Sequence, residues 1–249
     1  MLTSTYIHAS GIGPLTEKRI WQSGITDWES FLSGYKSIRL SDRHTEILLP
    51  VVEESINRYE EQDYGYFARK LVNREHWRTF GDLGERAAYL DIETTGTYLG
   101  AGITVIGIYD GHNTKSFIRG YNLDEFPAEI EKYPLLVTYC GATFDLPHLR
   151  HAFKGTKLDQ LHLDLCPALR RLGYKGGLKH IEQELGISRK DEITGLDGWD
   201  AVRLWHEWED GSKEALDLLV AYNAADVENL KILAEFAYNN LRAQCLPVI

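Results

Sequence analysis

The segment Tyr-Leu-Asp-Ile-Glu-Thr-Thr-Gly, residues 89–96, places two carboxylates at the end of an apolar run. Side chains of a β-strand alternate between its two faces, so Asp91 and Glu93 are expected on the same face. Two like charges on one face of a buried strand repel each other and lose hydration. The segment is therefore unfavourable as a strand unless a bound cation offsets this repulsion.

Composition narrows the classes of protein that can carry this strand. The 249 residues are enough for one large domain or a domain with an appendage, and 43% hydrophobic with 26% charged residues is typical of a soluble globular chain. No apolar stretch is long enough to span a membrane, and the first residues lack the layout of a signal peptide. The three cysteines lack metal-finger spacing, so we expect reduced thiols, a cytoplasmic protein and no membrane partner.

The net charge of −10 argues against a nucleic-acid binder that relies on overall positive charge. It leaves room for a local basic groove and for an acidic site that holds divalent cations. The segment 148–180 is locally basic and is a candidate guide for phosphates, although a solvated face is the simpler interpretation for most of its residues. Its basic residues are Arg150, Lys154, Lys157, Arg170, Arg171, Lys175 and Lys179.

The patterns predict an α/β fold with one mixed five-stranded sheet covered by helices, and a helical N-terminal region. We place the boundary between residues 1–83 and residues 84–249. The predicted strands are 87–94, 103–110, 114–118, 135–140 and 161–165, and one long helix is predicted from Ser212 to about Ala243.

The N-terminal region contains the turn Gly11-Ile12-Gly13-Pro14 followed by a helical pattern. The turn resembles the hairpin of helix-hairpin-helix DNA-binding motifs, and an ordinary Gly-Pro helix start explains it equally well. A longer helix is predicted over 45–72. In the segment 66–80, basic residues interleave with aromatic ones as on a nucleic-acid surface, although a solvated amphipathic face is the simpler interpretation.

One face of the predicted C-terminal helix is apolar except at its centre, where Tyr222 and Asp226 lie one turn apart. A buried aspartate at this position needs either a metal ion or a basic partner, and both interpretations stay open. Asp145 lies beyond the fourth predicted strand and also has two interpretations, a metal ligand or a helix cap. The helix cap is possible because an aspartate before an early-turn proline is a common helix start. The stripe consists of Ala215, Leu219, Tyr222, Asp226, Leu230, Leu233 and Ala237.

Three motifs in order resemble the DEDD family of exonucleases over roughly residues 84–243. Asp91-Ile92-Glu93 followed by Thr-Thr-Gly is similar to the first motif, and the segment 141–149 around Asp145 is similar to the second. The sequence Tyr-Asn-Ala-Ala-Asp, residues 222–226, is similar to the third motif of the tyrosine subclass. The chain most resembles small prokaryotic predicted exonucleases with a helical N-terminal extension.

The resemblance implies a ribonuclease H-like fold and hydrolysis of nucleic acid from a free 3′ end by two divalent ions, Mg²⁺ or Mn²⁺. It implies that Asp91, Glu93, Asp145 and Asp226 hold the ions and that Tyr222 orients or helps to deprotonate the attacking water. The expected products are nucleoside 5′-monophosphates. Single-stranded DNA is the favoured substrate, and RNA is the second choice. DNA repair is the expected biological setting. A helicase or polymerase partner is possible, but the sequence does not identify one. We also assign substrate binding to Thr94, Thr95, Phe144, Lys175, Gly176 and Gly177.

Two other classes of function stay open. Asp-Ile-Glu-Thr-Thr distantly resembles the nucleophile motif of haloacid-dehalogenase-like phosphatases, although Glu93 and the Tyr222–Asp226 pair fit that scheme poorly. The second is a non-catalytic nucleic-acid-binding or partner-binding module on the same fold, for which the four acids together are not required.

Overall fold

The computed structural model describes residues 1–246, and its centre is a mixed five-stranded sheet with strand order β3-β2-β1-β4-β5. β1 pairs antiparallel with β2 and parallel with β4, β2 pairs antiparallel with β3, and β4 pairs parallel with β5. The predicted fold class is confirmed. The strands are β1 (Ala87–Thr94), β2 (Ile103–Tyr109), β3 (Thr114–Ile118), β4 (Leu135–Thr138) and β5 (Leu161–Asp164).

Helices cover both faces of this sheet and form the N-terminal region. Short 3-10 helices lie at Leu2–Ser4, Tyr35–Ser37, Asn73–Thr79, Gly84–Arg86, Leu123–Glu125 and Asp191–Ile193. The α-helices are α1 (Pro14–Gln22), α2 (Trp28–Gly34), α3 (Asp42–Glu60), α4 (Tyr64–Lys70), α5 (Phe80–Leu83), α6 (Phe126–Ile130), α7 (Asp145–Ala152), α8 (Leu165–Arg171), α9 (Leu178–Glu184), α10 (Gly198–Glu209) and α11 (Lys213–Cys245).

Alternate residues of β1 enter two different cores. Leu90 and Ile92 pack in a core with α6 and α7 on one face, whereas Ala87 and Tyr89 pack in a core with the C-terminal half of α11 on the other. Asp91 and Glu93 continue the second series, so strand alternation directs both carboxylates to the face that α11 crosses.

The predicted apolar stripe of the C-terminal helix is confirmed, because all seven of its members are buried in α11. The crossing of α11 over the sheet depends on Gly107 in β2, which pairs with Asp91 in β1. A Cβ atom at Gly107 would overlap the side-chain oxygen of Asn223 on α11. The missing side chain therefore allows the helix to approach the strand pair that carries the acids.

The predicted helix over 45–72 is wrong at its centre. α3 ends at Glu60, and Gln62 adopts a left-handed conformation with φ of 57°. Asp63 then begins α4 by accepting a hydrogen bond from the backbone N–H of Tyr66. A local N-cap thus competes with continuation of the helix and creates a sharp turn.

The segment 66–80 is also not a solvated amphipathic face throughout. Trp77 and Arg78 are buried, and Arg78 donates to Glu17 at 3.0 Å and to Glu75 at 2.8 Å. The basic residue that looked solvated therefore neutralises two acids inside the core that the N-terminal helices share with the sheet. Around the helix-hairpin-helix-like turn, a 3-10 helix at Leu2–Ser4 is the only helix before α1 in the described residues.

Two of the three cysteines are paired with each other. Cys140 and Cys166 form a disulfide, so the expectation of three reduced thiols is wrong for this pair. The two residues lie at the same end of the sheet, since Cys140 follows β4 and Cys166 lies at the start of α8 after β5.

Among residues 1–246, every helix is too short or too polar to cross a bilayer.

We expect Gly107→Ala to lower the free energy of unfolding by about 1–3 kcal/mol, because α11 must move outward or Asn223 must change its conformation. Chemical denaturation measures the change. Gly198→Ala is the matched control, since a Cβ atom there meets nothing within 4 Å. Its stability should stay within about 0.5 kcal/mol of wild type. Equal losses in the two variants would contradict the close approach of α11.

Candidate active site

Three carboxylates meet where α11 crosses the end of β1. Asp91 and Glu93 come from β1 and Asp226 comes from the middle of α11, and ligand oxygens of all three lie within 4.8 Å of one another. Glu93 and Asp226 are buried, and Asp91 is half-buried. This is a set of oxygen donors of the kind that Mg²⁺ and Mn²⁺ prefer.

Asn223 fixes the orientation of Asp91. Its side-chain N–H donates to Asp91 Oδ2 at 2.9 Å, and the side chain of Asn223 is completely buried. The asparagine lies one residue after Tyr222 in the third motif, and the sequence analysis assigned it no role. Its place inside the motif of residues 222–226 is the sequence signal that could have identified it, because this part of the helix faces β1.

Two basic side chains contact Asp226. Lys179 Nζ donates to both carboxylate oxygens at 2.7 Å, and Arg189 donates to Oδ1. Arg189 is held in turn by Glu182, to which it donates from Nε and Nη2 at 2.6 Å each. The basic-partner interpretation therefore describes the contacts of Asp226, while its proximity to two other acids equally suits a metal ligand.

Asp145 is the first residue of α7 and lies near the other acids without joining the closest group. It is 2% exposed, and its Oδ1 is buried with no hydrogen-bond partner. The N-cap of α7 is Phe144, so the helix-cap interpretation of Asp145 is wrong. A buried carboxylate oxygen without a donor is costly, and a cation or a water bound to one would satisfy it.

Burial and mutual repulsion raise the pKa values of these acids. Burial, followed by the charge of Asp226, raises the pKa of Glu93 to about 8, and the positive charge of Lys179 opposes this rise. Burial is also the main reason that the pKa of Asp145 reaches about 7. The pKa of Asp91 is raised well above its usual value by burial and by Asp226, Glu93 and Asp145. The site thus favours either protons or added positive charge.

Tyr222 lies one helical turn before Asp226 and is 3% exposed. Burial and the neighbouring carboxylates raise the pKa of its hydroxyl. The phenol therefore keeps its proton at neutral pH and is available as a hydrogen-bond donor rather than as a phenolate base.

A cavity of about 410 Å³ opens over the acids. Two of the residues assigned to substrate, Thr94 and Phe144, line it, and so does Trp199, which is 70% exposed. Tyr139, also in the lining, donates its hydroxyl hydrogen to the backbone oxygen of Gly176 at 2.6 Å. The indole of Trp199 is thus an exposed aromatic surface at the mouth of the site.

The other residues assigned to substrate lie outside that lining. Thr95 Oγ1 accepts from the backbone N–H of Gly102, which closes the loop after β1. Lys175 and Gly176 precede α9, and Gly177 is the N-cap of that helix and lines a neighbouring cavity of about 720 Å³. The roles of Glu182, Arg189 and Lys179 around Asp226 are not predicted from the sequence. No local pattern joins them, because they lie 37 to 47 residues away in the chain.

Comparison with known families identifies the fold. A family model of the RNase_H superfamily matches residues 88–238, more than half of the chain. The chain belongs to the RNase_H superfamily. No curated protein has a sequence that matches it. Because the match covers the sheet and most of α11, it favours this superfamily over the phosphatase alternative.

The superfamily and the acidic cluster together indicate a metal-dependent nuclease acting on nucleic acid. The residues fit a divalent metal ion, because three carboxylates converge and Asp145, whose Oδ1 has no hydrogen-bond partner, raises the pKa of Asp91 by its charge. All of these donors are oxygen atoms, which suits hard cations.

The raised pKa values predict how the metal-free protein responds to pH. Between the unfolded value near 4.5 and the folded value of about 8, folded Glu93 holds a proton that the unfolded chain has lost. Its contribution to the free energy of unfolding is therefore lost as pH rises through that window. We expect Glu93→Gln to stabilise the chelator-treated protein, by about 1 kcal/mol or more at pH 8 and by less at pH 5.

Urea denaturation of wild type and Glu93→Gln at each pH measures this difference. Comparing the two proteins is necessary because burial lowers the pKa values of His8, His76 and His162, which adds an opposite slope below about pH 6.5. Added Mg²⁺ should stabilise wild type more at pH 8 than at pH 5. A stability difference that shrinks as pH rises would contradict the raised pKa of Glu93.

Proposed function

We propose that the protein is a metal-dependent 3′–5′ exonuclease of the tyrosine subclass. The observation that carries the proposal is the convergence of Asp91, Glu93 and Asp226 in one cavity with Tyr222 one turn away on the same helix. A binding module has no need to hold three mutually repelling carboxylates together, because their repulsion is unfavourable without bound cations.

The acids and Tyr222 have separate roles in this proposal. Two Mg²⁺ or Mn²⁺ ions, held by Asp91, Glu93, Asp145 and Asp226, would activate water and stabilise charge on the phosphate oxygens. Asn223 keeps Asp91 in one orientation through its 2.9 Å hydrogen bond. Tyr222 stays protonated and orients the attacking water as a hydrogen-bond donor, which is narrower than a role in deprotonation.

The mouth of the cavity supports a single-stranded substrate. Trp199 is 70% exposed, and Asp197 fixes its backbone by accepting a hydrogen bond from its N–H at 2.8 Å. An indole held in this way offers a stacking surface to an unpaired base, and base stacking of this kind tolerates any sequence. Phe144 lines the same cavity at the start of α7. Single-stranded DNA is the favoured substrate in this proposal, with RNA as the second choice.

An assay with 5′-end-labelled DNA and RNA, single-stranded and duplex, tests the activity and its polarity. With Mg²⁺ or Mn²⁺ we expect a ladder of products that shortens from the 3′ end, and we expect a chelator to abolish it. Asp91→Ala should lose nearly all turnover while its melting temperature stays equal or rises, because one of several repelling acids is removed. Metal-independent cleavage would exclude the proposal, and tight binding without turnover would favour the non-catalytic module.

A second prediction separates water positioning from metal binding. Tyr222→Phe removes only the hydroxyl, so Mn²⁺ and nucleic-acid binding should stay near wild type. Turnover should fall by about 10²–10⁴-fold, which is usual for a positioned acid–base group. Asp226→Ala should lose Mn²⁺ affinity and turnover together. Calorimetry and single-turnover kinetics measure both effects, and wild-type turnover in Tyr222→Phe would remove the hydroxyl from the mechanism.

A further inference from the structure

Lys179 occupies a position between the metal-ligand candidates and the tyrosine. Its ammonium lies 2.7 Å from both oxygens of Asp226 and 4.1 Å from the centre of the Tyr222 ring. Its side chain lines the same cavity as Asp91 and Glu93. The ammonium is therefore at the place that a phosphate must approach in order to meet the acids and the tyrosine hydroxyl.

Arg189 contacts the same carboxylate but is fixed in a different way. Its side chain is 7% exposed, and two hydrogen bonds of 2.6 Å hold its guanidinium against Glu182. Glu182 is itself 2% exposed and accepts a further hydrogen bond from Asn229 on α11 at 3.1 Å. Arg189 is therefore a fixed partner that keeps Asp226 oriented.

Lys179 is held much less firmly. Its side chain is 31% exposed, and within residues 1–246 its ammonium makes hydrogen bonds to Asp226 alone. A lysine side chain has a flexible stem of four carbon atoms. Its ammonium is a compact charge and lacks the rigid, planar set of donors of an arginine guanidinium. Lys179 can therefore leave Asp226 while Arg189 remains in place.

We propose that Lys179 is a further catalytic residue, whose ammonium moves from Asp226 to the non-bridging oxygens of the scissile phosphate. This inference rests on the proposed exonuclease function and adds a contact to it. Asp226 cannot direct the same lone pairs to Lys179 and to a divalent ion, so Lys179 would be free to contact the substrate when Asp226 holds an ion. The ammonium stabilises negative charge that develops on the phosphate oxygens.

The reaction balances without any proton from Lys179. A water oxygen bonds to the phosphorus of the terminal nucleotide, and the bond from phosphorus to the 3′ oxygen of the preceding nucleotide breaks. The water loses one proton, and the departing 3′ oxygen gains one. The products are a nucleoside 5′-monophosphate and a shortened strand with a 3′ hydroxyl.

A purely structural ion pair between Lys179 and Asp226 predicts a different behaviour. In that case the lysine orients the carboxylate, and its removal would weaken metal binding. If Lys179 is instead a competitor for Asp226 that moves to phosphate, its removal leaves metal binding intact or tighter and impairs chemistry. Lost turnover together with unchanged or tighter metal binding is therefore expected only under our proposal.

The experiment compares wild type, Lys179→Gln, Lys179→Arg and the control Lys213→Gln. Lys213 is exposed at the first position of α11, outside both cavities. Calorimetry measures binding of Mn²⁺ alone, and then of thymidine 5′-monophosphate and of thymidine in the presence of Mn²⁺. Single-turnover kinetics on a 5′-labelled single strand measure the chemical step, and thermal melting checks the fold.

We expect Lys179→Gln to bind Mn²⁺ as tightly as wild type or up to about tenfold tighter, because a competing cation is gone. Its single-turnover rate should fall by about 10²–10³-fold, as for removal of one donor to a developing oxyanion. Binding of the monophosphate should weaken by about tenfold, and binding of thymidine should not change. Lys179→Arg should keep part of the rate because the positive charge remains, and Lys213→Gln should match wild type.

Two results would overturn the inference while leaving the proposed function intact. They are a Lys179→Gln rate within about twofold of an active wild type, and a loss of Mn²⁺ affinity that accounts for the lost rate. If the glutamine variant melts early, Lys179→Met, which keeps a long unbranched side chain without the charge, replaces it in every measurement. An inactive wild type, by contrast, overturns the proposed function itself, so the two failures are distinguishable.

Discussion

The repulsion among buried carboxylates at the end of β1 is the constraint on which the rest of the site depends. Asp91, Glu93 and Asp226 bring three acidic groups within 4.8 Å in a region that excludes most water. Burial raises the free energy of each carboxylate charge, and every neighbouring carboxylate raises it further. Lys179 and Arg189 on Asp226, and Asn223 on Asp91, are the contacts through which the protein offsets this energy.

The long helix α11 makes this arrangement rigid. One helix carries Tyr222, Asn223 and Asp226, and its C-terminal half packs in the core shared by the sheet and the N-terminal helices. Its distance from β1 is set at Gly107, where no side chain separates strand from helix. The relative positions of the acids are therefore determined by the core packing of α11 and by its close approach to the sheet at Gly107, as a site on rigid elements requires.

The N-terminal region also supports the site, through the loop that leads to Asp145. His76 Nδ1 accepts from the backbone N–H of His162 in β5 at 3.0 Å. At the end of that strand, Asp164 accepts from the backbone N–H groups of Cys140 and Ala142 at 2.8 and 3.1 Å. The same two chain segments are joined by the Cys140–Cys166 disulfide. Asp164 is thus structural, and it anchors the loop that positions Asp145.

The sequence by itself determined the features that depend on local periodicity. Alternation in residues 87–94 placed Asp91 and Glu93 on one face, and the three-and-four spacing of α11 placed Tyr222 and Asp226 on its buried stripe. Both patterns are properties of short segments, so they were predicted without knowledge of the fold.

The tertiary structure alone decided which distant side chains meet these acids. Lys179 and Arg189 reach Asp226 because α9 and the segment after it pack beside α11, and Arg78 is buried because two glutamates surround it. Such pairings depend on how elements pack, which local spacing does not encode, since a solvated basic residue and a buried partner have the same local pattern.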